Sequence, residues 1–168
     1  VVPADGKTCA QVGVGGAGPS YGAPPPPGTS WKELFLQQVA GRIDRTRLHF
    51  VGKLPHELLT ELMQVSTVHV YLTYPFVLSW SLLEAMSIGC LVVASRTAPV
   101  EEVIEHGRTG LLVDFFDPAA LARTVAEAVE RREELQPLRL AARRHVVDRY
   151  DLQRICLPRQ LDLLHTLA

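Results

Sequence analysis

The stretch Val68-His-Val-Tyr-Leu72, then Leu82-Leu-Glu-Ala-Met-Ser-Ile88, Gly89 and Leu91-Val-Val-Ala94, decides the fold. Two short apolar runs flank one apolar segment of helical character, and Gly89 stands where a helix stops. The run from Leu91 to Ala94 lacks polar alternation, the mark of a strand buried on both faces. A strand, a helix and a strand in direct succession make the two strands parallel, because the helix carries the chain back across the sheet.

The same rhythm continues downstream. Pro99 to Glu105 reads as a short helix closed by Gly107, and Leu111-Leu-Val113 as a strand. Asp117-Pro118 supplies an N-cap and a first-position proline for a helix through Leu121, Val125 and Val129. The tail, residues 136–168, reads as two further helices. Upstream, Pro55 opens a helix through Leu58, Leu59, Leu62 and Met63, and Leu48-His-Phe-Val51 is a strand ended by Gly52. Ser30 is placed to cap a helix from Trp31 to about Ala40, with Leu34 and Val39 on its buried face. Gln11-Val-Gly-Val-Gly15 alternates as a strand, and residues 17–30 form an irregular loop rich in proline and glycine. There is no internal repeat. The expectation is one α/β domain over residues 1–168, a doubly wound parallel sheet of Rossmann type.

Composition narrows the function classes. The chain has 168 residues, 47% apolar and 21% charged, with a formal net charge of -1. That balance recruits no polyanion, so nucleic acid is not an expected partner. No apolar run reaches the ~18 residues a membrane span needs. Cys9, Cys90 and Cys156 are odd in number and widely spaced, which argues against a disulfide framework and a zinc site and for a reducing cytoplasm. A start at Val1-Val-Pro3 without methionine suggests a fragment or excised domain.

Open parallel sheets bind ligands beyond the carboxyl ends of their strands. The candidate loops are Gly15-Gly-Ala-Gly18, Gly52-Lys-Leu54, Thr73 to Ser81, and Ser95 to Glu102. Several of them open helices whose unpaired amides attract phosphate. This pattern supports nucleotide or phosphate binding without naming a reaction.

Four stretches in this order carry a more specific resemblance: His49-Phe-Val-Gly-Lys-Leu-Pro55, Ser81-Leu-Leu-Glu-Ala-Met-Ser-Ile-Gly-Cys-Leu-Val-Val-Ala-Ser95, Glu102-Val-Ile104, and His106-Gly-Arg-Thr-Gly-Leu-Leu-Val113. The chain resembles the C-terminal, donor-binding domain of the retaining, two-domain GT-B glycosyltransferases of family four, the group-one transferases. The resemblance implies a nucleoside diphosphate sugar as donor, transfer of a hexose-type sugar with retention, and no metal or other cofactor. It also implies a separate N-terminal acceptor domain, and it is compatible with polysaccharide, lipopolysaccharide or glycolipid assembly. On the same resemblance Glu84 holds the nucleotide ribose as the second acid of a Glu-x7-Glu motif, a task suited to a carboxylate that accepts two hydrogen bonds from a vicinal diol. Gly52, Lys53 and Leu54 match the loop that reads the base. Ser79, Trp80 and Ser81 match the helix start whose amides meet the diphosphate. Gly16, Thr97 and Glu102 complete the expected donor site, and no residue is assigned a catalytic role. One position departs: Phe76 stands where the family has its first acid, and Val77-Leu-Ser79-Trp80 replaces a glycine-rich turn. A phenylalanine accepts no sugar hydroxyl, though its face can stack on a sugar ring.

Plainer readings compete. Ser81-Leu-Leu-Glu84 has the form of a capping box, which stabilises a helix with no ligand. Glu102 falls in the first turn of its expected helix, where the dipole favours an acid. Lys53 reads as a solvated charge, Tyr74, Phe76 and Trp80 as packing residues, and Ser95 and Thr97 as local caps. The six histidines have no metal-ligand spacing; His49 and His69 sit within strands. Arg131, Arg132, Arg139, Arg143 and Arg144 could touch an anionic inner membrane face, but Glu130, Glu133 and Glu134 among them favour a solvated helix surface. Two rival functions stay open beside the transferase. One is a non-catalytic nucleotide-sugar-binding module, raised by Phe76, and the other a structural α/β domain without ligand.

Overall fold

The computed structural model describes residues 24–74 and 77–167, together with the backbone of residues 11–14. Gly16, Phe76 and the first half of the expected proline-glycine loop, residues 17–23, lie outside the described residues. The chain divides into two compact units between Leu58 and Leu59.

In the first unit, β1 (Gln11–Val14) pairs in parallel with β2 (Leu48–Gly52). Between them lies α1 (Trp31–Gln38). The Ser30 hydroxyl accepts from the Glu33 amide at 3.2 Å, and the Glu33 carboxylate accepts from the Ser30 amide at 3.0 Å. Both halves of a capping box are therefore made. The expected buried face is shallower than its sequence suggested: Leu34 and Val39 are only half-buried, and α1 has no fully buried residue. Gly52 ends β2 with φ of 71°, a left-handed turn that glycine takes without steric cost. The next helix, α2 (His56–Val65), carries the chain across the division.

The second unit holds a parallel sheet in the order β3-β4-β5, formed by His69–Tyr71, Val92–Ser95 and Leu111–Val113. All four residues of β4 are buried, as its unbroken apolar run requires. Alternation along the strand separates two cores. Val92, Ala94 and Leu112 pack with Leu82, Ala85 and Met86 of α3 (Trp80–Ile88) and with Ala142 and Val146 of α6 (Gln136–Tyr150). Leu91, Val93 and Val113 pack with Leu121, Val125 and Ala128 of α5 (Pro118–Glu130). Helices thus cover both faces, as the doubly wound pattern predicts. Asp117 caps α5 through its Oδ1, which accepts from the Ala120 amide at 2.8 Å.

Several expectations shift. The helix expected from Pro99 to Glu105 is one turn, α4 (Ala98–Glu101). Glu102 therefore sits at its C-cap, where the dipole no longer favours an acid, and Glu101 takes the first-turn position. The tail continues through a π-turn at Leu152–Cys156 into α7 (Leu157–Leu167). Two of the clustered arginines, half-buried Arg139 and exposed Arg143, also reach back to the end of α3. Arg139 Nε donates to the Gly89 carbonyl at 2.7 Å, and Arg143 donates to the Ser87 carbonyl. They satisfy the carbonyls left over at the end of α3, where a positive charge also complements the dipole. Arg131 and Arg132 pair with Glu134 and Glu133 on the surface. Among the described residues no helix is long and apolar enough to cross a membrane.

Candidate functional site

The carboxyl ends of β3, β4 and β5 open toward one edge of the second unit, and α3 begins there. Its N-cap is Ser79, with extended backbone (φ -82°, ψ 143°) and a side chain that accepts from the Ser81 amide. This overturns the expected capping box from Ser81 to Glu84. The helix begins two residues earlier than its apolar run suggests, so the third helical position is Leu82, which has no carboxylate. Glu84 lies in the second turn, half-buried and one helical step from Ser81 on the same face.

Buried hydroxyls hold the loop before α3 in place. Ser95, fully buried at the end of β4, accepts from the Thr73 amide and donates to the Thr73 carbonyl, both at 2.9 Å. A polar side chain so deep must be paired, and here both partners come from the loop after β3. The Tyr71 hydroxyl accepts from the Ser79 amide at 2.9 Å. Tyr71 is a buried residue of β3, so the strand itself sets where the helix starts. Neither residue was singled out in this role by sequence. Each is an ordinary strand residue whose hydroxyl finds its partner only across a loop, and no spacing rule reports that.

Thr97 follows β4 and is the N-cap of α4, but its hydroxyl makes no cap bond. Its Oγ1 is buried without a hydrogen-bond partner. The expectation of a local cap is therefore wrong for Thr97, and Ser95 serves a long-range tie rather than a local one. Beside it, Arg96 pairs with Glu101 at 3.1 Å on the surface.

Of the aromatic residues expected to pack, Trp80 departs from expectation and Tyr74 does pack. Trp80 is 85% exposed at the first position of α3 and packs no core. Tyr74 stacks on Phe115 with ring centroids 5.2 Å apart and meets Phe116 edge-on at 4.7 Å. Its partners come from the loop after β5, so these rings meet across the end of β4. Gly52, Lys53 and Leu54 belong to the first unit, where Lys53 is exposed and Leu54 half-buried. His49 is exposed on β2, and His69 is half-buried on β3, where desolvation lowers its pKa below 6.5. Among the described residues no group of three His, Cys, Asp or Glu is placed to hold a metal ion.

The sequence pattern of the "Glycosyl transferases group 1" family covers residues 29–145. The chain belongs to the group 1 glycosyl transferases. Among curated group 1 relatives, the alpha-maltose-1-phosphate synthase of Mycolicibacterium smegmatis is 38% identical over 97 residues, which are 56% of this chain and 24% of that protein. The D-inositol 3-phosphate glycosyltransferase of Geodermatophilus obscurus is 31% identical over 124 residues, 74% of this chain and 27% of the relative. The chain spans about a quarter of the length of the curated relatives it matches. Among solved structures, HepE of Anabaena, crystallised with UDP-glucose, superposes with a TM-score of 0.75 at 23% identity over 94% of this chain and 40% of that one. This likeness shows the GT-B fold, and the family match makes the chain the C-terminal domain of a group 1 transferase.

Proposed function

We propose that this chain is the donor-binding domain of a retaining transferase that moves a hexose-type sugar from a nucleoside diphosphate sugar to an acceptor. In that reaction the bond from the anomeric carbon to the diphosphate breaks, and the acceptor hydroxyl bonds to the same carbon on the same face. The hydroxyl's proton leaves with the diphosphate. The observation that carries the reading is the position of Glu84, half-buried in the second turn of α3 and one helical step from the Ser79–Ser81 turn. A carboxylate there can accept both hydroxyls of a ribose, while the first amides and the dipole of α3 face the diphosphate. Helix amides and basic side chains supply the charge stabilisation a leaving diphosphate needs, so the proposed chemistry runs without a metal. The acceptor would be held by a second, N-terminal domain in the cytoplasm, with contact to the inner membrane face where the acceptor is a lipid.

Calorimetric titration with UDP, GDP, ADP and dTDP tests this, repeated on Glu84→Ala. One nucleotide should bind to the wild type, and its affinity should fall about tenfold or more in the variant, the cost of losing charge-assisted hydrogen bonds. No binding of any of the four, by this chain and by the full-length protein, would retire the reading.

A second reading rests on Phe76, which stands in place of the acid expected to contact the transferred sugar. On that reading the domain binds a nucleotide sugar without transferring it. Intact binding by the full-length protein, with no sugar transferred to any acceptor extract, would favour it.

A further inference from the structure

Two serines compete to start α3. Ser79 is the N-cap in the structure, while Ser81-Leu-Leu-Glu84 has the form of a complete capping box. The two starts lie two residues apart, which moves the end of the helix by about 3 Å. They also differ in what they offer a ligand. From Ser81, Glu84 would be the third helical residue, and its carboxylate would turn back to accept from the Ser81 amide. Trp80 and Ser81 would no longer be helical, and the amides at the helix end would change. From Ser79, Glu84 lies in the second turn, and the Ser81 amide is held by Ser79 Oγ at 3.4 Å.

Local rules favour Ser81. The Ser79 start has Leu82 at its third position, which cannot accept from the cap's amide as Glu33 does for Ser30 at 3.0 Å. The missing acceptor comes from outside the helix, where the Tyr71 hydroxyl takes the Ser79 amide at 2.9 Å. It acts from a fixed place. Tyr71 is only 8% exposed, packs in the core and pairs with buried Ala94 of β4. Leu78, just before the cap, also packs against that core and favours the same start. Two serine caps are worth about the same, so one hydrogen bond is enough to choose between them.

We propose that Tyr71 is a positioning residue for donor binding, whose hydroxyl selects the Ser79 start of α3 over the Ser81 start. It thereby keeps Glu84 in the second turn, where the ribose contact needs it, and the Trp80 and Ser81 amides at the helix end. The inference deepens the donor-domain reading and rests on it for the ligand, though not for the choice of start.

Tyr71→Phe tests this, because it removes the hydroxyl and keeps the ring. Hydrogen exchange followed by NMR reports the start directly. The Leu82 amide donates to the Ser79 carbonyl at 3.1 Å, a bond that the later start breaks. Its exchange should quicken roughly three- to tenfold in Tyr71→Phe, while the Met86 amide keeps its protection. In titrations with UDP, GDP, ADP and dTDP, affinity for the nucleotide that binds should fall by a similar roughly three- to tenfold, in step with the fraction in the Ser79 start. Adding Ser81→Ala to Tyr71→Phe removes the rival cap, so exchange and affinity should both return toward wild type. A general loss of packing would not be repaired by a second truncation.

Unchanged exchange at Leu82 in Tyr71→Phe would overturn the proposal. So would a loss of affinity that Ser81→Ala leaves in place or deepens. Faster exchange with unchanged affinity would leave Tyr71 a helix cap with no part in binding, and the donor reading would stand. If the wild type and the full-length protein bind none of the four nucleotides, the donor reading falls and takes the binding role of Tyr71 with it.

Discussion

Helices α1 and α3 both start at a serine, and they are held in opposite ways. At α1 the local device is complete: Ser30 and Glu33 satisfy each other's amides. Yet no residue of α1 is fully buried, and Trp31 and Phe35 stack on each other while both stay exposed. At α3 the local device is weaker, with a Ser79 side chain reaching the Ser81 amide at 3.4 Å and no acid to complete a box. But Leu82, Ala85 and Met86 are fully buried, Tyr71 holds the Ser79 amide, and Arg139 caps the far end. Caps decide where a helix begins, while burial decides how firmly it stays, since most helical stability in proteins comes from packing an apolar face.

The largest break in this contrast should come from the core. Leu82→Ala should cost about 2–5 kcal/mol, because a fully buried leucine leaves a cavity as well as losing its transfer energy. Urea denaturation of the chain reads this cost. Leu34→Ala on half-buried α1 should cost less than about 1.5 kcal/mol by the same measurement. Equal costs would show that α1 is packed as firmly as α3.

The caps should come next. Ser79→Ala should destabilise the chain by about 1 kcal/mol, seen as a lower urea midpoint with an unchanged slope. Ser30→Ala removes a cap of similar strength, but its effect should be local. Hydrogen exchange should show faster exchange of the α1 amides while those of α3 keep their protection. Loss of protection across both helices would contradict the comparison.

Acid should produce the smallest effect. Desolvation lowers the pKa of His69 and of His145 below their ordinary 6.5. The unfolded chain then binds more protons than the folded one as pH falls past 6.5, so stability is full above that value and declines below it. Urea midpoints at pH 7.5 and 5.5 should differ in that direction, and His69→Gln should narrow the gap. Rising stability on acidification would refute the assignment.

Much of the second unit was legible in advance because its signals are local. Asp117-Pro118 announced α5, Gly89 the end of α3, and the unbroken apolar run of β4 its burial on both faces. The candidate site was legible as a set of loops, not as a geometry. Ser81 looked like the cap of α3 because a serine three residues before an acid fits a local rule. Ser79 became the cap because Tyr71, eight residues upstream, holds its amide in an extended turn. Nothing in the sequence singled out Phe115 and Phe116, since nothing nearby along the chain places Tyr74 against them.

The order of strands and helices, the two-faced burial of β4 and the family motifs follow from the sequence alone, because each depends on residues within a turn or two of one another. The start of α3, the ties from Ser95 to Thr73, the arginine caps on Gly89 and Ser87, and the aromatic trio were decided by tertiary structure. Each joins segments that only the closing of the sheet brings together, and a hydrogen bond or ring contact depends on that distance in space rather than on separation along the chain.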